Sequence, residues 1–491
     1  MATQTEVPLA QPTEMRPQAT KRERPAWSFA ALGGPAALAL VLCLYELTTR
    51  SLWLDEAATV AIASQQGSAL WSAIAHDGGN MLGYYAPLHV LIGWFGHGEL
   101  IIRLPSALAA GACAGLVALL GLRLFDRRVG VLAGVLTAVS LPLVFWGQDA
   151  RGYAPMLALV VGSFLALEAL VRSGGRRAWI AYVVLTTLSA YASFIAILIL
   201  PAQLLLLLWR RQAWRRVVSA VAACAVCWVP LAVLALERGS GQLFWIPRPS
   251  LTTEGQVIKT LTSAAFEPNF RPAWAATGLA VVTVVLLALA AVRLVRQPAW
   301  GPLLALSWLV VPVALMWLES LVGQSLFTPR NALVSLPAVA LLLAWLLGRS
   351  RIGWAAVAIM IALRAVTLVP SYGVSPENWR AATAYVLHSE RPGDCLAFYP
   401  LDAGMPFAYY AGQRVSPHVE RYETPRLPSG CRRVWLVASH QGQPNGPAGS
   451  RAHYARYVAL RHALAGEYGG ASTRSFGYAS VVWVQRFGPQ R

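Results

Sequence analysis

Charge is scarce in this chain and lysine is nearly absent. Charged residues make up 13% of its 491 positions, about half the share found in soluble domains. Lys21 and Lys259 are the only lysines, so arginine carries nearly all of the formal net charge of +18. The arginines stand in short blocks between long apolar runs, which is the pattern of membrane topology and not of a nucleic-acid surface. Six cysteines in this length provide neither a disulfide framework nor zinc-ligand spacing. Cys224 and Cys227 lie inside an apolar run and read as packing. The chain has no glycine-rich phosphate loop and no Asp-X-Asp motif.

Apolar length is abundant: 56% of residues are hydrophobic, as in a polytopic α-helical membrane protein. Residues 1–25 are polar and rich in Pro and Thr and read as a disordered cytoplasmic tail. The apolar run that follows is too long for a signal peptide and reads as a first span. A span needs about 20 residues, and candidates stand at 27–47, 104–124, 128–147, 153–171, 215–235, 272–292, 301–322, 331–347 and 352–369. The run 178–209 would be about 48 Å long as one helix, against a hydrocarbon core of about 30 Å. Arginines flank it on both sides, so two short helices turning near residues 190–193 are expected. The run 82–98 is assigned to a helix at the outer interface, because a crossing there would separate the basic blocks at 21–24 and 123–128.

Eleven spans result, with the N-terminus cytoplasmic, outer loops at 48–103 and 236–271, and residues 370–491 outside. That last segment alternates strand-like runs (CLAFYP, VWLVAS, YASVVWVQRF) with helix-like ones (PENWRAATAYVLHSE, RAHYARYVALRHAL) and is expected to be a small soluble α/β domain. Its only cysteines, Cys395 and Cys431, are either a disulfide of an oxidising compartment or buried thiols.

This topology puts Asp55 and Glu56 on the extracytoplasmic side. Arg50, Arg103, Arg151, Arg238, Arg248, Lys259, Arg271 and Arg330 join them there, outside the positive-inside rule. Arg364, near the outer end of the last span, is expected to snorkel to the same face. Cations at a bilayer surface suit a lipid-linked phosphate, with Arg151, Arg330 and Lys259 as the candidates. A nearby carboxylate suits a general base for a hydroxyl acceptor. Together they describe sugar transfer from a polyprenyl phosphate, in which cations stabilise the departing lipid phosphate.

Six short motifs carry a resemblance: LDEA at 54–57, APL at 86–88, IRLPSA at 102–107, RLFDRR at 123–128, QDARGY at 148–153 and TPRN at 328–331. In this order the chain resembles the GT-C superfamily of integral membrane glycosyltransferases, near the dolichyl-phosphate-mannose protein mannosyltransferases and lipid A aminoarabinose transferases of glycosyltransferase family 39. The resemblance implies a GT-C-like transmembrane domain over 26–369, Asp55 as catalytic base and Asp149 as a second acidic site residue. Glu56 is expected beside them as a supporting or metal-binding group. The sequence departs from the family where Tyr85-Ala86-Pro87 replaces a His- or Lys-Pro-Pro motif, and where Arg330-Asn331 replaces an Arg-Tyr pair.

Structural readings stand next to these. Asp55 is also a charge that a helix N-terminus favours, Asp149 and Arg151 a local ion pair, Arg330 and Arg103 anchors, and Trp379, Arg380 and His388 packing and surface. His76, Asp77 and His89 match no ligand motif, so no metal site is expected, although a divalent cation (Mg or Mn) as cofactor stays open. The acceptor is a glycan, lipid or protein, and the sugar a hexose or pentose. The rival class is a transporter or flippase of lipid-linked sugars, which would place charges within its spans. Glu46, Glu168 and Glu319 instead lie near helix ends.

Overall fold

The computed structural model describes residues 27–208, 211–239, 243, 245–263, 273–412, 430–478 and 481–488. The expected N-terminal tail, together with Lys21, Arg24, Arg210 and Arg271, lies outside them.

Helices occupy every expected span position. The longest, Glu99–Leu124, buries a stripe of small residues that includes Ala107, Ala110, Gly111, Ala114 and Gly121. It packs on Trp27–Leu44 and Arg127–Ala138. Small side chains let helix backbones approach closely, and a Cβ on Gly121 would lie 2.8 Å from the Cα of Gly130. Six helices are long and apolar enough to cross a membrane, or up to eight if each bent pair is one span. The expected span 128–147 is one such pair, Arg127–Ala138 and Leu141–Gly147, bent by 60°. The other, Trp214–Cys227 with Val229–Arg238, bends by 48°. Pro142 and Pro230 open the second helix of each pair, where a proline costs no hydrogen bond. The long run 178–209 divides at Ser193, whose extended backbone ends the helix Arg176–Ala192.

Arg364 does not reach the surface. It is 1% exposed and donates to the Leu136 carbonyl in the last turn of Arg127–Ala138. The break after that helix leaves carbonyls without an intrahelical partner, and the packed guanidinium takes one of them instead of snorkelling.

The first outer loop folds into three helices, Leu54–Ala63, Gly67–His76 and Leu82–Phe95. Beyond the last long helix, Arg351–Leu368, four strands form one sheet: β1 (Asp394–Tyr399), β2 (Arg433–Ala438), β3 (Ala471–Phe476) and β4 (Val482–Phe487). Their order is β1-β2-β4-β3, with only the β1/β2 pair parallel. Trp379–Ser389 and Gly404–Ala411 cover one face and Ala448–Tyr468 the other. The sequence reading missed two elements, β3 and Gly404–Ala411, because ASTRSF is polar and GMPFAYYA is short. Arg433 clamps Asp394 at 2.6 Å across the β1/β2 pair. Cys395 and Cys431 are disulfide-bonded, with a Cα separation of 5.7 Å.

This sheet layer is fastened onto the first outer loop. Arg380 pairs with Glu99 at 2.6 Å. The Tyr410 hydroxyl accepts from the Leu52 N–H at 2.7 Å and donates to Glu99 at 2.6 Å.

Candidate active site

Asp55 and Glu56 begin the helix Leu54–Ala63. Neighbours on a helix point about 100° apart, so their surroundings differ. Glu56 turns inward and is 2% exposed. Arg103 donates through Nε and Nη2 to its two oxygens, each at 2.7 Å, and the Ala150 N–H adds a third bond at 2.9 Å. Arg103 also donates to the Leu47 and Arg50 carbonyls. Burial pushes the Glu56 carboxyl up, but the charge and hydrogen bonds of Arg103 outweigh it and hold the group below its ordinary range. The three hydrogen bonds to Glu56 are all internal and fasten the helix, although the residue also borders the cleft described below.

Asp149 is also 2% exposed. Its Oδ1 accepts from Trp53 Nε1 at 2.8 Å, and its buried Oδ2 accepts from no protein donor. Burial and the Glu56 charge push Asp149 well above the usual carboxylate range. The protonated form of Asp149 is thereby favoured over its ordinary balance.

Asp55 turns outward, with 30% of its side chain exposed. Its Oδ2 lies 3.1 Å from Arg330 Nη1 and 3.8 Å from Arg151 Nη2. Arg151 also donates to the hydroxyls of Thr59 at 3.2 Å and Tyr85 at 3.5 Å. Arg330 stands on the short helix Pro329–Ala332, capped by Thr328, with the Trp245 ring 4.3 Å from its guanidinium carbon. Burial raises the Asp55 carboxyl, but Arg151, Arg330 and His440 together hold it below the ordinary value.

Asp55 and Arg330 line a cleft of about 1860 Å³, and Arg151 packs behind Asp55 without lining it. One wall holds Arg50, Trp53, Asp55, Trp245, Arg248 and Arg330; the other comes from the sheet layer and includes Glu377, Asp402, His440 and Arg456. Burial and neighbouring Arg103 push Arg50 down to about 10. His440 Nε2 lies 2.6 Å from Glu377 Oε1.

The fold thus brings Asp55, Arg151 and Arg330 together, with Glu56 and Asp149, each 2% exposed, bordering the same cleft. Lys259 does not join them. Thr253 and Gln256 of its helix, Leu251–Leu261, line the cleft, whereas Lys259, nearly one turn further along, does not. Arg50 and Arg248 supply the cleft's further positive charge. Arg103 is the anchor, through Glu56. Among the described residues no group of three His, Cys, Asp or Glu side chains is placed to hold a metal ion. His89 Nδ1 lies 2.8 Å from the Ala63 carbonyl, and Asp77 accepts from Tyr85 at 2.8 Å. Glu377 and His440 escaped the sequence reading, since an isolated acid and an isolated histidine 63 positions apart carry no local signal.

Residues 77–236 match the family model described as dolichyl-phosphate-mannose-protein mannosyltransferase. No curated protein sequence matches the chain. Among solved structures, ArnT from Cupriavidus metallidurans bound to undecaprenyl phosphate aligns over 95% of this chain and 100% of its own, with a TM-score of 0.61 and 14% identity. The archaeal oligosaccharyltransferase AglB from Archaeoglobus fulgidus, in complex with an inhibitory peptide and a dolichol-phosphate, aligns over 85% of this chain and 70% of its own, with a TM-score of 0.53 and 12% identity. Residues 77–236 thus resemble the dolichyl-phosphate-mannose-protein mannosyltransferase family, and the chain as a whole shares the fold of ArnT and AglB.

Proposed function

We propose that this protein transfers a sugar from a polyprenyl-phosphate donor to a hydroxyl-bearing acceptor on the extracytoplasmic face of the cell membrane. One observation carries the reading: an outward-facing carboxylate, Asp55, meets the guanidinium of Arg330 on the wall of a large cleft, with Arg151 packed against the same carboxylate oxygen. Asp55 takes the proton of the acceptor hydroxyl as its oxygen bonds to the anomeric carbon. The bond from that carbon to the phosphate oxygen breaks, its electron pair stays on the phosphate, and Arg330 and Arg151 stabilise the charge. Glu56, Arg103 and Asp149 position the helix and are not the base.

The reading goes with eleven crossings, a cytoplasmic N-terminus, a membrane domain over 26–369 and an extracytoplasmic domain over 370–491. ArnT was solved with undecaprenyl phosphate and AglB with a dolichol-phosphate, so a lipid phosphate is the ligand to test here. The purified chain in proteoliposomes should release undecaprenyl phosphate from at least one of undecaprenyl-phosphate mannose, glucose, arabinose or aminoarabinose. No release from any of them, with membrane extracts supplied as acceptor, would overturn the assignment.

A further inference from the structure

The outer wall of the cleft contains an acid–imidazole pair that none of the motifs in the membrane segment uses. The parallel strands β1 and β2 both end at the cleft, and Asp402 and His440 follow them. The carboxyl ends of parallel strands are where ligands gather in open α/β sheets. His440 has φ 51°, a backbone conformation that costs energy in a non-glycine residue and tends to mark functional sites. Glu377 is 3% exposed. Its Oε2 accepts from the Leu54 N–H at 3.1 Å and from Trp379 Nε1 at 2.6 Å, while its Oε1 takes His440 Nε2. One buried carboxylate therefore holds both the imidazole and the first turn of the helix that carries Asp55. With Nε2–H donating to Glu377, neutral His440 keeps the lone pair of Nδ1, which has no hydrogen-bond partner among the described residues. An acid that orients an imidazole by one nitrogen and leaves the other as a base is a recurring catalytic arrangement.

We propose that the Glu377–His440 pair is the terminal proton acceptor of the transfer: the proton leaving the acceptor hydroxyl passes from Asp55, by way of water in the open cleft, to His440 Nδ1 and then to solvent. The inference rests on the transferase reading. One proton moves and no oxidant or reductant is needed. Two guanidinium groups make Asp55 a weak base, so it must be discharged in every turnover. Burial works to lower the His440 imidazole, but Glu377 and the Asp55 charge outweigh it and hold it above the ordinary histidine value. The charged and titratable groups facing it are Glu377, Asp55 and Arg330, with Asp402, His453 and Arg456 on the same wall.

The test is the pH profile of kcat for the wild type, His440→Gln and His440→Asn, read with whichever of the four donors above the wild type uses fastest. The wild-type rate should fall as the pH drops through a value above 6.5. Both variants should lose about a hundredfold in kcat at neutral pH and no longer show that limb. Binding of undecaprenyl phosphate should be unchanged. An unaltered limb, or kcat within about twofold of wild type, overturns the proposal. So does loss of undecaprenyl phosphate binding in both variants, which would make His440 a structural or phosphate-binding group. A wild type inactive on every donor would instead sink the transferase reading itself.

Discussion

Arg330 and Asp55 stand 275 positions apart in the chain, and their side chains meet at 3.1 Å. Arg151 approaches the same oxygen at 3.8 Å. A carboxylate so flanked is ionised but weakly basic. Both cations are also the groups that would hold an arriving phosphate, so donor and Asp55 share them. Sharing loosens their hold on Asp55 and strengthens it as a base when the donor is present.

Asp55→Asn should therefore lose about 10²–10⁴ in kcat, the usual worth of a placed general base. Undecaprenyl phosphate binding should stay the same or tighten, since the arginines no longer divide their charge. Titration of the purified variant with the lipid separates the two effects; wild-type turnover would remove Asp55 from the mechanism.

The arginines should differ from Lys259. Charge-assisted hydrogen bonds contribute roughly 1.5–3 kcal/mol, so Arg330→Ala and Arg151→Ala should each weaken undecaprenyl phosphate binding about tenfold to a hundredfold. Lys259→Ala should leave it unchanged, because that side chain neither lines the cleft nor pairs with Asp55, whereas Arg151 and Arg330 both pair with it. A large loss at Lys259 would show that the cleft is drawn in the wrong place.

Glu56→Gln should damage stability before chemistry. It leaves Arg103, 1% exposed, without its anionic partner, and breaking a buried pair costs about 3–5 kcal/mol. A lower melting temperature in detergent, with the surviving folded fraction keeping its donor affinity, is the expected result.

Asp149 makes a pH prediction. Its folded-state value is raised, so the folded chain holds a proton that the unfolded chain would release above about pH 4. That contribution is complete below the unfolded value and is lost as pH rises through the raised one. Asp149→Asn, neutral and of the same shape, should keep the Trp53 hydrogen bond and flatten the fall in melting temperature toward alkaline pH. An unchanged slope would mean that Asp149 is ionised.

The disulfide closes a stretch with a sequence separation of 36, for which chain entropy gives about 3–4 kcal/mol. Replacing Cys395 and Cys431 by serine should lower the unfolding temperature of the sheet layer, read by limited proteolysis, without changing undecaprenyl phosphate binding. If proteolysis is unaffected, the bridge adds little to that layer.

Apolar length and arginine blocks are properties of neighbouring residues, so the helix positions, the division of 178–209 at Ser193 and the α/β character of the last 120 or so residues were legible in order along the chain. The 60° bend within 128–147 was not, because Ser140-Leu141-Pro142 reads as continuous hydropathy until a packed bundle decides where the backbone turns. The site divides in the same way. Placing Asp55 and Glu56 at the mouth of the first span followed from local pattern alone. Which of the two stays exposed was decided by Arg103, 47 positions away, taking Glu56 inward. Lys259 and Arg248 were equivalent as isolated cations, but only Arg248 lines the cleft, since Lys259 lies nearly one helix turn beyond Gln256. Glu377 and His440 meet only because a sheet layer seats itself on the first outer loop. Side-chain type is written in the sequence, but a charge acts through distance, and packing sets the distances between residues hundreds of positions apart.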